Sequence, residues 1–145
     1  MSVIYRKADR EELPVIALLE RAYIECAWTE KMLLESFDSG LYDFFVAEIG
    51  GEIIAYGFIQ WCLDEGNICN IATKTEFRNK GYASGILNIM LAAAKEKGVT
   101  SLSLEVNENN LPAINAYKKA GFTEIHRRKN YYGSDSALIL QKNLT

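Results

Sequence analysis

Ile68-Cys69-Asn70-Ile71-Ala72, then Arg78-Asn79-Lys80-Gly81-Tyr82-Ala83, then a helical pattern from about Ser84 to Lys97: this run of sequence decides the fold. The first piece is an apolar run of strand length. In the third, Ile86, Leu87, Met90, Leu91 and Ala94 recur at helical spacing, and Gly98 supplies a stop. A strand therefore ends in a backbone-rich loop that opens into a helix N-terminus, where N–H groups without partners and the helix dipole favour an anion. The expectation is a phosphate-bearing ligand cradled by the backbone from Asn79 to Ser84, with Gly81 allowing close approach and Ala83 keeping the helix start uncluttered.

Downstream, Leu102, Leu104 and Val106 alternate with Ser101, Ser103 and Glu105, a strand with Glu105 on the face opposite the leucines. Ile68 to Val106 thus reads as a strand, a helix and a second strand in a right-handed parallel crossover. Asn107-Glu108-Asn109-Asn110 provides a loop and an N-cap for a helix from about Leu111 to Ala120-Gly121. Phe122 to Arg128 and Ala137 to Gln141 are two further strands around a loop from Lys129 to Asp135.

Upstream, Tyr42 to Ile49 and Glu52 to Leu63 are strand-like runs joined by Gly50-Gly51, a dipeptide suited to a two-residue hairpin. Asp64-Glu65-Gly66-Asn67 reads as the next turn, bringing Ile68 to Thr73 back antiparallel, and Gly57 marks a bulge or a close backbone approach. Before these, Val3 to Lys7 is β-prone, and Asp9 with Glu12 resembles a capping box for a helix to about Ile24. Thr29 caps a shorter helix to about Ser36, broken by Phe37-Asp38-Ser39-Gly40, which leaves Trp28 at the joint between two helices. The order β-α-α-β-β-β-α-β-α-β-β describes an α+β fold with a mixed sheet.

At 145 residues the chain is expected to form one domain, residues 1–145. A formal charge of −3 and a pI of about 5.3 argue against a nucleic-acid surface. No apolar run approaches the roughly 20 residues of a membrane helix, and Met1-Ser2-Val3-Ile4-Tyr5-Arg6 lacks a signal-peptide layout, so the expected location is cytoplasmic. Cys26, Cys62, Cys69 and His126 lie far from zinc-ligand spacing, so no metal is expected. The cysteines read as buried thiols, with Cys62 and Cys69 facing one another if Leu63 to Ile68 is a hairpin end.

With these elements in place, the chain resembles the GCN5-related N-acetyltransferase superfamily over essentially its whole length. Arg78-Asn79-Lys80-Gly81-Tyr82-Ala83 fits that family's acetyl-coenzyme A signature, (Q/R)-x-x-G-x-(G/A), at the expected place after the fourth strand. Leu104-Glu105-Val106, Asn110, and Ala116-Tyr117 before Ala120-Gly121-Phe122 extend the likeness. A closer resemblance is to the bacterial ribosomal-protein-alanine N-acetyltransferases, carried by Trp28-Thr29-Glu30, Leu63-Asp64-Glu65 before Asn70-Ile71-Ala72, and Arg127-Arg128-Lys129-Asn130-Tyr131-Tyr132. Two departures stand out: a short loop after Tyr132, and Cys26-Ala27 where relatives often carry an aromatic residue and a proline.

The resemblance implies a three-layer fold, with a mostly antiparallel seven-stranded sheet flanked by about four helices. It implies acetyl-coenzyme A as cosubstrate, without metal, its pantetheine pairing with the backbone of Ile71, Ala72 and Thr73. Arg78, Asn79, Lys80, Gly81, Tyr82, Ala83, Ser84 and Asn110 complete the donor site. An N–H near Asn70 or Ile71 would polarise the thioester carbonyl. By the same resemblance, Glu105 is the general base, directly or through water, and Tyr117 protonates the departing sulfur.

The implied acceptor is the N-terminal alanine of a basic ribosomal protein, small-subunit protein eighteen, held by Trp28, Glu30, Tyr131 and Tyr132. An α-amine suits a modest base: its pKa of about 7.7–8.0 makes the neutral nucleophile about 3.5 kcal/mol easier to reach than that of lysine. The partner set is that peptide, with no direct nucleic-acid or membrane contact, and the chain a monomer or weak homodimer. Two other readings stay open: a relative acting on lysine side chains or small amines, and a non-catalytic acyl-coenzyme A-binding module.

Overall fold

In a computed structural model, which describes residues 2–145, seven strands form one sheet in the order β1-β2-β3-β4-β5-β7-β6. The strands are β1 (Val3–Lys7), β2 (Tyr42–Ile49), β3 (Glu52–Cys62), β4 (Glu65–Thr73), β5 (Ser101–Asn107), β6 (Thr123–Tyr132) and β7 (Asp135–Asn143). The helices are α1 (Leu13–Tyr23), α2 (Glu30–Ser39), α3 (Tyr82–Lys97) and α4 (Leu111–Lys119). Among the described residues only β4 and β5 pair parallel, as expected of strands joined through a helix; the other neighbours are antiparallel.

The sheet separates two apolar layers. Ile86, Leu87, Met90 and Ala94 of α3 and Ile114 of α4 pack on Phe45, Ile59, Ile68, Leu102, Leu104 and Val106. On the other face, Leu13, Ile16 and Leu19 of α1 and Leu33 of α2 cover Phe44, Val46, Tyr56 and Phe58. Gly57 permits close approach of α3, since a Cβ there would stand 2.7 Å from Met90 Cε and 2.9 Å from Ile86 Cγ2.

Local chemistry sets the helix ends. Glu12 Oε1 accepts the Asp9 N–H at 2.8 Å above a short 3₁₀ turn, so α1 itself begins at Leu13. Thr29 Oγ1 accepts the Met32 N–H and starts α2. That helix runs past Ser36 to Ser39, because Phe37 packs against Phe44 and Asp38 pairs with Arg10; Gly40, at φ 75°, ends it. Helix α3 starts two residues before Ser84, at Tyr82.

Two turns differ from expectation. Between β3 and β4 the turn is Leu63-Asp64, with Leu63 at φ 57°, a conformation leucine rarely adopts. Gly66, the residue that suggested the turn, lies inside β4, where a Cβ would meet Leu102 Cδ2 at 2.6 Å and the Trp61 ring at 2.8 Å. Cys62 consequently faces Glu65 rather than Cys69, and both Cys26 and Cys62 are exposed rather than buried. Strand β6 continues through an irregularity at Asn130 (φ 55°) to Tyr132, leaving Gly133-Ser134 as the turn in place of the longer loop from Lys129.

Among the described residues no helix is long and apolar enough to cross a membrane, and no cluster of His, Cys, Asp and Glu is arranged to hold a metal ion.

Candidate active site

The site begins with one surplus residue. Opposite β3, Asn70 faces Phe58 and Ile68 faces Ile59, so Cys69 is a bulge with no partner of its own. A bulge bends its strand. The ladder between β4 and β5 runs from Glu65↔Ser101 to Ile68↔Leu104 and stops there, although β4 continues to Thr73 and β5 to Asn107. The sheet forks at its centre. Lys74 donates its N–H to Ile54 O at 2.9 Å, and Thr73 O accepts Arg78 Nε at 3.1 Å on the other side. Alternation along the strand therefore turns the Ile71 and Thr73 backbone towards the fork.

A cavity of about 560 Å³ opens on this edge. It is lined by Ile71, Ala72, Thr73, Arg78, Asn79, Gly81, Tyr82, Ala83, Ser84 and Asn110, and by Tyr23, Ile24, Phe77, Pro112, Ala113 and Ala116. Every residue of the expected donor site except the exposed Lys80 is there. Asn79 (φ 63°) and Gly81 (φ 85°) take left-handed backbone, and nothing lies within 4 Å of the place a Gly81 Cβ would occupy. That open space sits at the head of α3, whose first N–H groups at Tyr82, Ala83 and Ser84 have no acceptor one turn back. The fit to a pyrophosphate followed by an extended amide chain is good: an anion cradle, then an unpaired strand edge.

Arg78 is partly committed to structure. Besides its bond to Thr73 O, its guanidinium lies 5.2 Å from the centre of the Tyr23 ring, and the Tyr23 hydroxyl accepts the Thr75 N–H at 3.3 Å. The end of α1 is thereby fastened to the loop before α3. Asn110 Oδ1 caps α4 by accepting the Ala113 N–H at 3.4 Å.

Glu105 is the first β5 residue beyond the last rung with β4, exposed, on the face opposite Leu104. Its carboxylate lies 3.1 Å from Arg128 Nη1. Tyr117 projects from α4 in the other apolar layer, edge-on to Phe122, and lines a space of about 80 Å³ with Ile71, Ala83, Ser84, Leu87, Ala113 and Ala116. Burial pushes its phenol up to about 12, so it keeps its proton at neutral pH. A group lying in the fork would meet a carboxylate from one face of the sheet and a protonated phenol from the other.

Of the residues expected to hold the acceptor, Trp28, Glu30 and Tyr131 do not line this cavity. Trp28 is half-buried, its ring edge-on to Phe58 and Tyr42, and with Glu30 it lines a separate cleft of about 140 Å³ between α1 and α2. Tyr131 stands on β6, half-exposed, with the Arg128 guanidinium 5.6 Å from its ring centre. The side chain of Tyr132 lies outside the described residues.

Two features escaped the sequence reading. Tyr23 and Ile24, at the end of α1, line this cavity although the spacing of that helix marks it as a core element. Glu20 is fully buried on the same helix; the available signal was a carboxylate in the middle of the apolar stripe of Ile16, Leu19 and Tyr23.

Comparison with known proteins agrees with this geometry. The model of the acetyltransferase (GNAT) family matches residues 10–122. The [ribosomal protein bS18]-alanine N-acetyltransferase of Escherichia coli (strain K12) is 29% identical over 136 residues, covering 91% of each chain. An N-alpha-acetyltransferase of Sulfurisphaera tokodaii is 34% identical over 111 residues, 66% of each chain. The crystal structure of the ribosomal-protein-S18-alanine N-acetyltransferase from Escherichia coli superposes with a TM-score of 0.88 at 26% identity, covering 99% of this chain and 95% of that one.

Proposed function

The chain belongs to the acetyltransferase (GNAT) family, and from that premise we propose that it transfers acetyl from acetyl-coenzyme A directly to the N-terminal alanine of a basic ribosomal protein of the bS18 type. The observation that carries the reading is the forked sheet: the β4–β5 ladder ends at Ile68↔Leu104, with Ile71 beyond it on one strand and Glu105 beyond it on the other, and Tyr117 shares a small space with Ile71. The acceptor assignment draws on the bS18-alanine relative, which aligns over 91% of this chain.

Acetyl-coenzyme A supplies an acetyl group activated as a thioester. Asn79 to Ser84 hold its pyrophosphate with backbone N–H groups, each contact contributing about 0.3–1 kcal/mol, and the backbone of Ile71 to Thr73 takes the pantetheine as an added strand. Glu105, directly or through one water, receives the proton that the acceptor amine must lose. The Ile71 N–H would be the donor available to an oxygen on which negative charge develops. Tyr117 gives its proton to the departing sulfur. Direct transfer also suits the cysteines: burial pushes the Cys69 thiol up to about 12, which leaves it a poor nucleophile, and Cys26 and Cys62 do not line the cavity.

The test is incubation with acetyl-coenzyme A and a panel of alanine-started peptides, lysine peptides and polyamines, read by mass. The expected product carries one acetyl group on an N-terminal alanine. Acetylation confined to lysine side chains or to polyamines overturns the acceptor assignment, and tight coenzyme A binding without any product overturns catalysis in favour of a binding module.

A further inference from the structure

Glu20 has no accessible surface, yet its carboxylate accepts hydrogen bonds from three separate elements. The Tyr56 hydroxyl on β3 donates to Oε1 at 2.5 Å, the Trp28 N–H donates to Oε2 at 2.8 Å, and Asn70 Nδ2 donates at 3.1 and 2.9 Å to the two oxygens. All of these donors are neutral. Among the described residues no lysine or arginine forms an ion pair with Glu20. Burial raises the carboxyl above its usual range, while the bonds from Tyr56, Trp28 and Asn70 pull it down. A buried charge of this kind is a poor way to gain stability, because an apolar side chain of similar volume avoids the desolvation cost.

What the donors share is their place around the fork. Asn70 follows the Cys69 bulge and precedes Ile71, whose backbone borders the gap. Tyr56 faces Ala72, the next residue of the same edge. Trp28 stands where the chain leaves α1 and enters α2.

We propose that Glu20 is a positioning residue: by binding the Asn70 amide and the Trp28 N–H through one carboxylate, it sets the free edge of β4 against the α1–α2 loop. The inference rests on the proposed transfer at the fork. It assigns Glu20 no contact with the reacting atoms. Its effect passes through Asn70 to the Ile71 N–H, where an error of about an ångström costs about a hundred-fold in rate, and it leaves the pyrophosphate cradle at Gly81 untouched.

The experiment compares wild type, Glu20→Gln, Asn70→Asp and the double variant as full chains, measuring kcat, KM for acetyl-coenzyme A, and backbone amide exchange. Glu20→Gln sets one NH₂ group against another. It is expected to lower kcat by about ten- to a hundred-fold with KM for acetyl-coenzyme A within about three-fold, and to speed exchange at residues 70–73 by about ten-fold with β2 unchanged. In the double variant the amide at position 20 donates to a carboxylate at position 70, and kcat should recover at least about five-fold over Glu20→Gln. A Glu20→Gln enzyme with wild-type kcat, unchanged exchange at residues 70–73, or single-variant losses that simply multiply in the double variant overturns the proposal.

Should Glu20→Gln fail to fold, Asn70→Ala removes the same two bonds and must reproduce both the kcat loss and the faster exchange; wild-type behaviour there also overturns it. A wild-type chain inactive on every acceptor counts against the proposed function, and the exchange comparison then decides the role of Glu20 by itself.

Discussion

Arg128 Nη1 lies 3.1 Å from the carboxylate of Glu105, and the same guanidinium covers the Tyr131 ring at 5.6 Å. The two side chains are 50% and 32% exposed, so the pair is easily exchanged, worth at most about 1 kcal/mol. A positively charged acceptor amine reaching Glu105 competes with that guanidinium for one carboxylate.

Removing the competitor should therefore help a cationic acceptor. Arg128→Gln is predicted to lower KM for an alanine-started basic peptide by about two- to five-fold at low salt, the gap shrinking as salt screens the exposed charges. Initial rates at two ionic strengths decide it. Equal KM values at both would place the acceptor away from Arg128.

Glu105→Gln and Tyr117→Phe are each predicted to lower kcat by about a hundred-fold or more, with coenzyme A affinity within about two-fold. Steady-state rates alongside a direct binding measurement separate the two effects. Full turnover in both variants would remove acid–base chemistry from these positions.

Alkaline pH offers a test through stability. Burial raises the phenols of Tyr117 and Tyr56, Tyr117 to about 12, so the folded chain holds both protons more tightly than the unfolded chain does. Their contribution is fully present below about pH 10, the ordinary tyrosine value, and is lost as pH rises towards and past 12. Denaturant midpoints should fall steadily from about pH 10 to 11.5, and less steeply in Tyr117→Phe. Parallel slopes would contradict the raised phenol.

Gly85, one turn into α3, lies against Tyr5 of β1, where a Cβ would stand 2.1–2.3 Å from the outer ring atoms. Gly85→Ala should destabilise by about 1–3 kcal/mol despite alanine's higher helix propensity. Tyr5→Leu should restore most of the loss in the double variant. Thermal or denaturant melts provide the comparison, and a stabilised single variant would show that Tyr5 swings clear at little cost.

Periodicity made the fold legible. The alternation of Leu102, Leu104 and Val106 and the helical spacing of Ile86, Leu87, Met90 and Ala94 both survive as buried faces. The loop from Arg78 to Ala83 was legible for another reason: the role proposed for it lies in backbone geometry, and glycine at position 81, at φ 85°, announces that geometry. The turn at Leu63 was not, because local signals named Gly66 while packing of Trp61 and Leu102 claimed that glycine for the strand. Nor was Glu20, whose partners Trp28, Tyr56 and Asn70 lie 8, 36 and 50 residues away along the chain. No local pattern reports a contact closed only by the folded sheet.

Cys69 gives the central fork a wider meaning. Without it, Ile68, Asn70 and Ile71 would return to strict alternation, and the ladder with β5 would have no reason to stop at Leu104. Such a sheet would be seamless and would have no vacancy for a guest strand. On the proposed reading the insertion of one residue turns a structural sheet into a receptacle, and it keeps inside the molecule the sort of unsealed edge that invites aggregation at a rim. A bound donor would act on this protein as a missing strand does on an incomplete sheet, closing the fold while it delivers the reagent.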